Sequence, residues 1–306
     1  VPAGRGFLLS TLAPEAFMSR PPIKFRGGRL PAQPGRPHLK LGAYLDHDRL
    51  PAAPASADWV SKVPASAWGI LGNQEWGDCT CAGVAHKRIG DVYANRDEIL
   101  PVTTTETLAL YSAITGFNPN AGPSGDNPTD QGASCQSVLE FWHANGFLGE
   151  KIVAFAKVDL SNLAEVKQAI AIFGQLYCGL QVPQSAENQT NAGESWTVVP
   201  GSPNLGGHCM TIGAYDANGP SGITWGQLQE MTWEFFTAQF DECWVLVTPD
   251  FIAANGTDVQ GLSLYQLGAD WSALTGHPNP VPEPGVAPHH RSLADEMRAW
   301  LEAMGL

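Results

Sequence analysis

From Cys79 the apolar positions fall with helical spacing, so that Ala82, Val84, Ala85, Ile89 and Val92 can share a buried face of a helix over 79–96. Similar periods predict helices over 104–115, 133–145 and 161–173. The period then shortens to two. KIVAFAK (151–157), LYCGLQV (176–182), GHCMTIGAY (207–215) and CWVLVT (243–248) read as strands. Helices first and strands afterwards predict an α+β domain rather than an alternating parallel one.

Both ends depart from this pattern. Residues 1–57 are rich in Pro, Gly and Arg, with little periodicity, and read as an N-terminal arm. Residues 276–291 form a Pro-rich linker. Beyond it, over 292–306, Leu293, Met297, Trp300, Leu301 and Met304 share one face of a predicted amphipathic helix, with Ser292 and Asp295 as its N-terminal cap. So short a helix is marginal alone in water, so its stripe is expected to pack on a partner protein or fold back on the body.

Charge sharpens the division. The chain carries −13 overall, but residues 1–40 hold seven Lys and Arg against one acid. The acidic body repels nucleic acid, and the basic arm is expected to lie across an acidic surface of its own or of a neighbour. No run is long and apolar enough to span a membrane, and the N-terminus has no signal-peptide pattern, which predicts a soluble protein of the cytoplasm or of a protein particle. Six cysteines without CxxC spacing predict reduced thiols, no structural metal and no cofactor.

The candidate chemistry lies in GNQEWGDCTCAGVAH (72–86). A glycine-bearing loop opening into a helix supplies unpaired N–H groups and a dipole that lower the pKa of a thiol, which favours Cys79 at the helix start. Cys81, about 200° further round, reads as core. A general base is offered by LGGHCMTIGAYD (205–216), where His208 enters a strand 129 residues after Cys79. His86 and His143 read as packing or surface residues. Trp59, Trp68 and Trp76 read mainly as core. Adjacent acids such as Asp241 and Glu242 diverge on most backbones and do not read as a glycosidase pair.

Together these segments resemble the papain-like cysteine peptidases. The loop from Asn73 and Gln74 to Gly77-Asp78-Cys79-Thr80 is similar to that superfamily's Gln loop and Cys helix, and Gly206-Gly207-His208 to Gly213-Ala214-Tyr215-Asp216 is similar to its His strand. Thr129-Asp130-Gln131-Gly132 and Leu180-Gln181-Val182-Pro183 resemble its cleft wall and the strand before the His loop. The resemblance implies a papain-like fold over residues 58–275, with a helix carrying Cys79 packed on an antiparallel sheet carrying His208. It also implies a peptide or protein substrate, with Cys79 as nucleophile, His208 as base and Gln74 as oxyanion donor.

Two positions differ from the superfamily pattern. Its Gln lies six residues before the Cys; here Asn73 does, and Gln74 lies five before, so Asn73 is the alternative donor. Where its orienting Asn stands, two residues before Trp-Gly, this chain has Ile223. Thr224 or Asp216 remain as side chains to orient the imidazole. The other class of function is a catalytically weakened docking protein of a larger assembly, for which the arm and C-terminal helix would bind partners; the Gly-Asp-Cys-Thr and Gly-Gly-His style resembles proteins of bacteria and tailed phages.

Overall fold

A computed structural model describes residues 22–46, 49–255, 262–276, 278–279 and 281. Its elements run β1 (Arg29–Leu30), a 3-10 turn (Leu41–Tyr44), β2 (Ala57–Asp58), a 3-10 turn (Ala65–Ala67), α1 (Cys79–Arg96), α2 (Thr104–Thr115), β3 (Ala133–Ser134), α3 (Cys135–Asn145) and β4 (Ala154–Lys157). They continue with α4 (Leu163–Phe173), β5 (Leu176–Pro183), α5 (Gln184–Ala192), β6 (Asn204–Tyr215), β7 (Pro220–Thr224), β8 (Gln227–Glu230), α6 (Trp233–Gln239), β9 (Phe240–Val247), α7 (Pro249–Asn255) and α8 (Leu264–Thr275).

The main sheet is seven-stranded and antiparallel, in the order β4-β9-β5-β6-β7-β8, with β2 also pairing with β6. Helix α1 packs against β6 at its centre. Every residue from Cys79 to Val92 is buried, so α1 runs through the core instead of lying on it with one face. Its charged residues are paired: Lys87 Nζ lies 2.6 Å from Asp91 Oδ1, and Arg88 pairs with Glu150. Charges placed so deeply need such partners. Among the described residues no helix is long and apolar enough to cross a membrane.

The predicted helices and strands recur with shifts of a few residues at their ends. α5 was not foreseen, because QSAENQTNA has no apolar period; it is held by Gly193 in a left-handed C-cap and by contacts to β5. Cys178 and Cys243 face each other across β5 and β9, Cα atoms 4.1 Å apart, and are joined as a disulfide, against the expectation of reduced thiols throughout. Cys79, Cys81, Cys135 and Cys209 are free and buried.

Residues 22–46 of the arm lie against the body, with Ile23, Leu41, Tyr44 and Leu45 in the main core. Charge explains the attachment: Arg26 pairs with Asp130, Arg29 with Asp241 and Glu242, and Arg36 with Glu140. The acidic surface that the arm crosses is thus its own. The predicted helix over 292–306, with Leu293, Met297, Trp300, Leu301 and Met304, lies outside the described residues.

Candidate active site

Cys79 is the first residue of α1 and is fully buried. Its sulfur faces β6, where the backbone N–H of Cys209 is directed at it. Burial pushes the thiol well above its ordinary pKa, with further upward pressure from Cys209 and Asp78; the Cys209 N–H and the Arg29 charge oppose it. Asp78 precedes the helix but caps nothing with its side chain. Both its oxygens are buried without a partner among the described residues, and burial pushes its carboxyl well above the usual carboxylate range.

His208 sits on β6 opposite Leu180 of β5 and is also fully buried. Its Nε2 lies 2.8 Å from Thr224 Oγ1, and its ring stacks on Trp225 at 4.7 Å between centroids. Nδ1 is buried with no hydrogen-bond partner among the described residues. Strand alternation accounts for the choice of Thr224. It ends β7 on the His208 side, while Ile223 points to the opposite face among Val60, Val63, Trp68 and Ile89.

Trp225 is aimed by a two-residue hairpin turn between β7 and β8. Both Trp225 (φ 47°) and Gly226 (φ 70°) are left-handed, the requirement of the mirror-image turns that match strand twist. A tryptophan in that region carries backbone strain, which persists only where the surroundings fix it, here between His208 and Trp196. At Gly226 a Cβ would lie 2.6 Å from the Trp68 carbonyl oxygen, so that turn position tolerates only glycine.

Burial, followed by the Arg29 charge and His86, lowers the His208 pKa to about 3. The arm contributes to that burial at His208. Phe25 stands edge-on to His208 at 5.8 Å and to Trp225 at 6.4 Å, and Gly28 donates its N–H to Gly207 O and accepts from Ala133 N–H. Residues 22–30 form a strap that lies over His208 and Gly207 of β6 and beside Gly77 ahead of α1.

The other predicted site residues separate clearly. Gln74 is partly exposed and its Nε2 donates to the Pro22 carbonyl of the strap at 3.3 Å, whereas Asn73 is buried with Oδ1 unpaired. Asp216 lies at the far end of β6, accepts from the N–H groups of Asn218 and Gly219, and takes no part around His208. His86 donates its Nε2–H to the Gly69 carbonyl at 2.8 Å, so that it is a packed histidine. Trp76 packs on Phe117 at 4.9 Å in the core. Phe25 and Arg29 escaped the sequence reading; the signal for them was the charge contrast between arm and body.

No family model matches this sequence, and no curated protein matches it closely. Among solved structures, xylellain, a cysteine protease from Xylella fastidiosa, superimposes with a TM-score of 0.54 at 14% identity, over 75% of this chain and 98% of its own. Procathepsin B S9 of Trypanosoma congolense gives 0.48 at 11% identity, over 72% and 86% of the two chains. Procathepsin L 3 of the Tenebrio molitor larval midgut gives 0.40 at 10%, over 74% and 75%. The fold defined by the central helix and antiparallel sheet is papain-like. This α+β chain is a divergent example of that architecture.

Proposed function

We propose that the protein is a papain-like thiol hydrolase of peptide or amide bonds, held in a closed form by its own strap. The observation that carries this reading is the setting of His208: Nε2 held by Thr224, the ring covered by Trp225, and Nδ1 left without a partner. If Nε2–H donates to Thr224 Oγ1, Nδ1 is the free lone pair, the tautomer a general base needs.

In the proposed reaction the Cys79 thiol gives its proton to His208 Nδ1 and the sulfur attacks the scissile carbonyl carbon. The carbonyl π electrons move onto oxygen, where the Cys79 backbone N–H and the Gln74 amide donate to it. Collapse breaks the C–N bond; His208 returns the proton to the leaving amine, and a thioester remains. Water then loses a proton to His208, attacks the thioester and releases the acid, restoring the thiol. Asn73, buried with Oδ1 unpaired, remains the alternative donor.

Complete burial of Cys79 and His208 favours the other reading, a docking scaffold with a silent site. The two separate in a chain whose strap is loosened, such as full-length Phe25→Ala/Arg26→Ala. Iodoacetamide alkylation of each cysteine is followed by mass spectrometry across pH, with and without His208→Ala. Fast, His208-dependent reaction at Cys79 alone supports the hydrolase. Slow reaction at Cys79, indifferent to His208, means a scaffold.

A further inference from the structure

The strap does more than cover the cleft, because one of its side chains fills a built pocket. The Arg29 side chain is 1% exposed; Nη1 donates to Glu242 Oε1 at 2.6 Å and Nη2 to Asp241 Oδ2 at 2.5 Å. The room for it comes from glycine. Gly179 of β5 faces Glu242 of β9 in register, and a Cβ there would lie 2.6 Å from Arg29 Nη1. A Cβ on Gly207 would lie 2.4 Å from the Arg29 carbonyl oxygen. Among the described residues Arg29 is the only cation paired with these two acids.

Beside the pocket the strap passes through a slot walled by backbone. A Cβ on Gly28 would lie 2.0 Å from Gly77 O, and one on Gly132 would lie 2.2 Å from Gly28 O. These walls are main chain and cannot rotate aside as a long side chain would. Gly77 stands two residues before Cys79, so the slot adjoins the thiol, and the Arg29 charge reaches both Cys79 and His208.

Chain direction follows from the chemistry. His208 protonates the leaving amine, so the amine side of a substrate must lie where Phe25 covers His208. The acyl side then occupies the slot and the pocket. The strap runs the other way, from Phe25 at His208 to Arg29 in the pocket, and so presents its peptide bonds reversed to the thiol.

Resting on the thiol-hydrolase reading, we propose that the open cleft selects polypeptides in which Arg or Lys is followed by Gly, the basic side chain entering the Asp241/Glu242 pocket and the glycine the slot, with cleavage after the glycine. Arg is the better fit, since a guanidinium can donate to both carboxylates at once. The bond broken is glycine carbonyl to the next nitrogen, by the proton and water steps given above.

The test uses full-length Phe25→Ala/Arg29→Ala, which empties the pocket, with Gly28→Leu as a second way to release the strap. Rates of Cys79 labelling by acyl-Arg-Gly vinyl sulfone and acyl-Leu-Gly vinyl sulfone are read by intact mass, with iodoacetamide as a control that needs neither subsite. The Arg-Gly probe is expected to react about tenfold faster or more. An Arg-Leu probe is expected to be nearly inert, and Glu242→Gln should bring the two rates together. Should Glu242→Gln not fold, the more exposed Asp241→Asn serves for the same comparison. Equal rates for the Arg-Gly and Leu-Gly probes, with iodoacetamide alkylation of Cys79 still dependent on His208, overturn the pocket and leave the hydrolase standing. No His208-dependent alkylation in either released chain overturns the hydrolase and the pocket with it.

Discussion

Thr224 Oγ1 lies 2.8 Å from His208 Nε2, at the end of a strand whose preceding residue, Ile223, faces away. In the proposed hydrolase, a hydroxyl one residue nearer the Trp-Gly turn would take the orienting place of the amide expected at Ile223. The shift by one position is compatible with the fold because Trp225 still covers the imidazole.

Thr224→Val is expected to slow His208-dependent alkylation of Cys79 about tenfold or more in the strap-released chain, as loss of an orienting partner commonly does. Thr224→Ser should retain most of it. A Val variant that keeps both the rate and its pH profile would show that Thr224 only packs there.

Gly28→Leu should expel the strap, since even a Cβ at this position meets the Gly77 carbonyl. Cys79 would pass from unreactive to alkylatable in the otherwise intact chain. Cys81, buried in the core, should remain protected. Mass spectrometry of iodoacetamide-treated peptides distinguishes them, and unchanged protection of Cys79 would mean that something other than the strap closes the cleft.

Stability should fall with acid in a defined window. Burial lowers the pKa of His208 to about 3, and burial, partly offset by the Gly69 carbonyl, lowers that of His86 to about 4. The unfolded chain, with histidines near 6.5, therefore binds more protons than the folded one between those values. The contribution is complete above about pH 6.5 and is lost as pH falls toward 4 and then 3. Urea midpoints across that range should decline. His86→Gln, which keeps a donor for Gly69 but cannot titrate, should flatten the decline, and an unaltered slope would discount His86.

Reducing the Cys178–Cys243 disulfide, which closes a sequence separation of 65 residues, should cost about 4 kcal/mol by chain entropy. Urea titrations with and without a strong reductant measure it. A midpoint that does not move would show that β5 and β9 gain nothing from the bond.

The sequence by itself determined the helix carrying Cys79, the strand carrying His208, and their order along an α+β chain. Apolar period and a glycine-bearing loop are local properties, and the helical and strand periods at these segments differ enough to separate. It also carried the attraction between a basic arm and an acidic body, because net charge is a sum that needs no geometry. Which acids the arm meets was decided by tertiary structure alone. Arg29, Glu242 and Gly179 are far apart in the chain, and only the pairing of β5 with β9 brings the pocket together. The choice of Thr224 over Asp216 depended likewise on the β6–β7 register and the turn at Trp225. The packing of Phe25 on His208 and of Gly28 against Gly77 likewise joins distant segments, which local patterns do not encode.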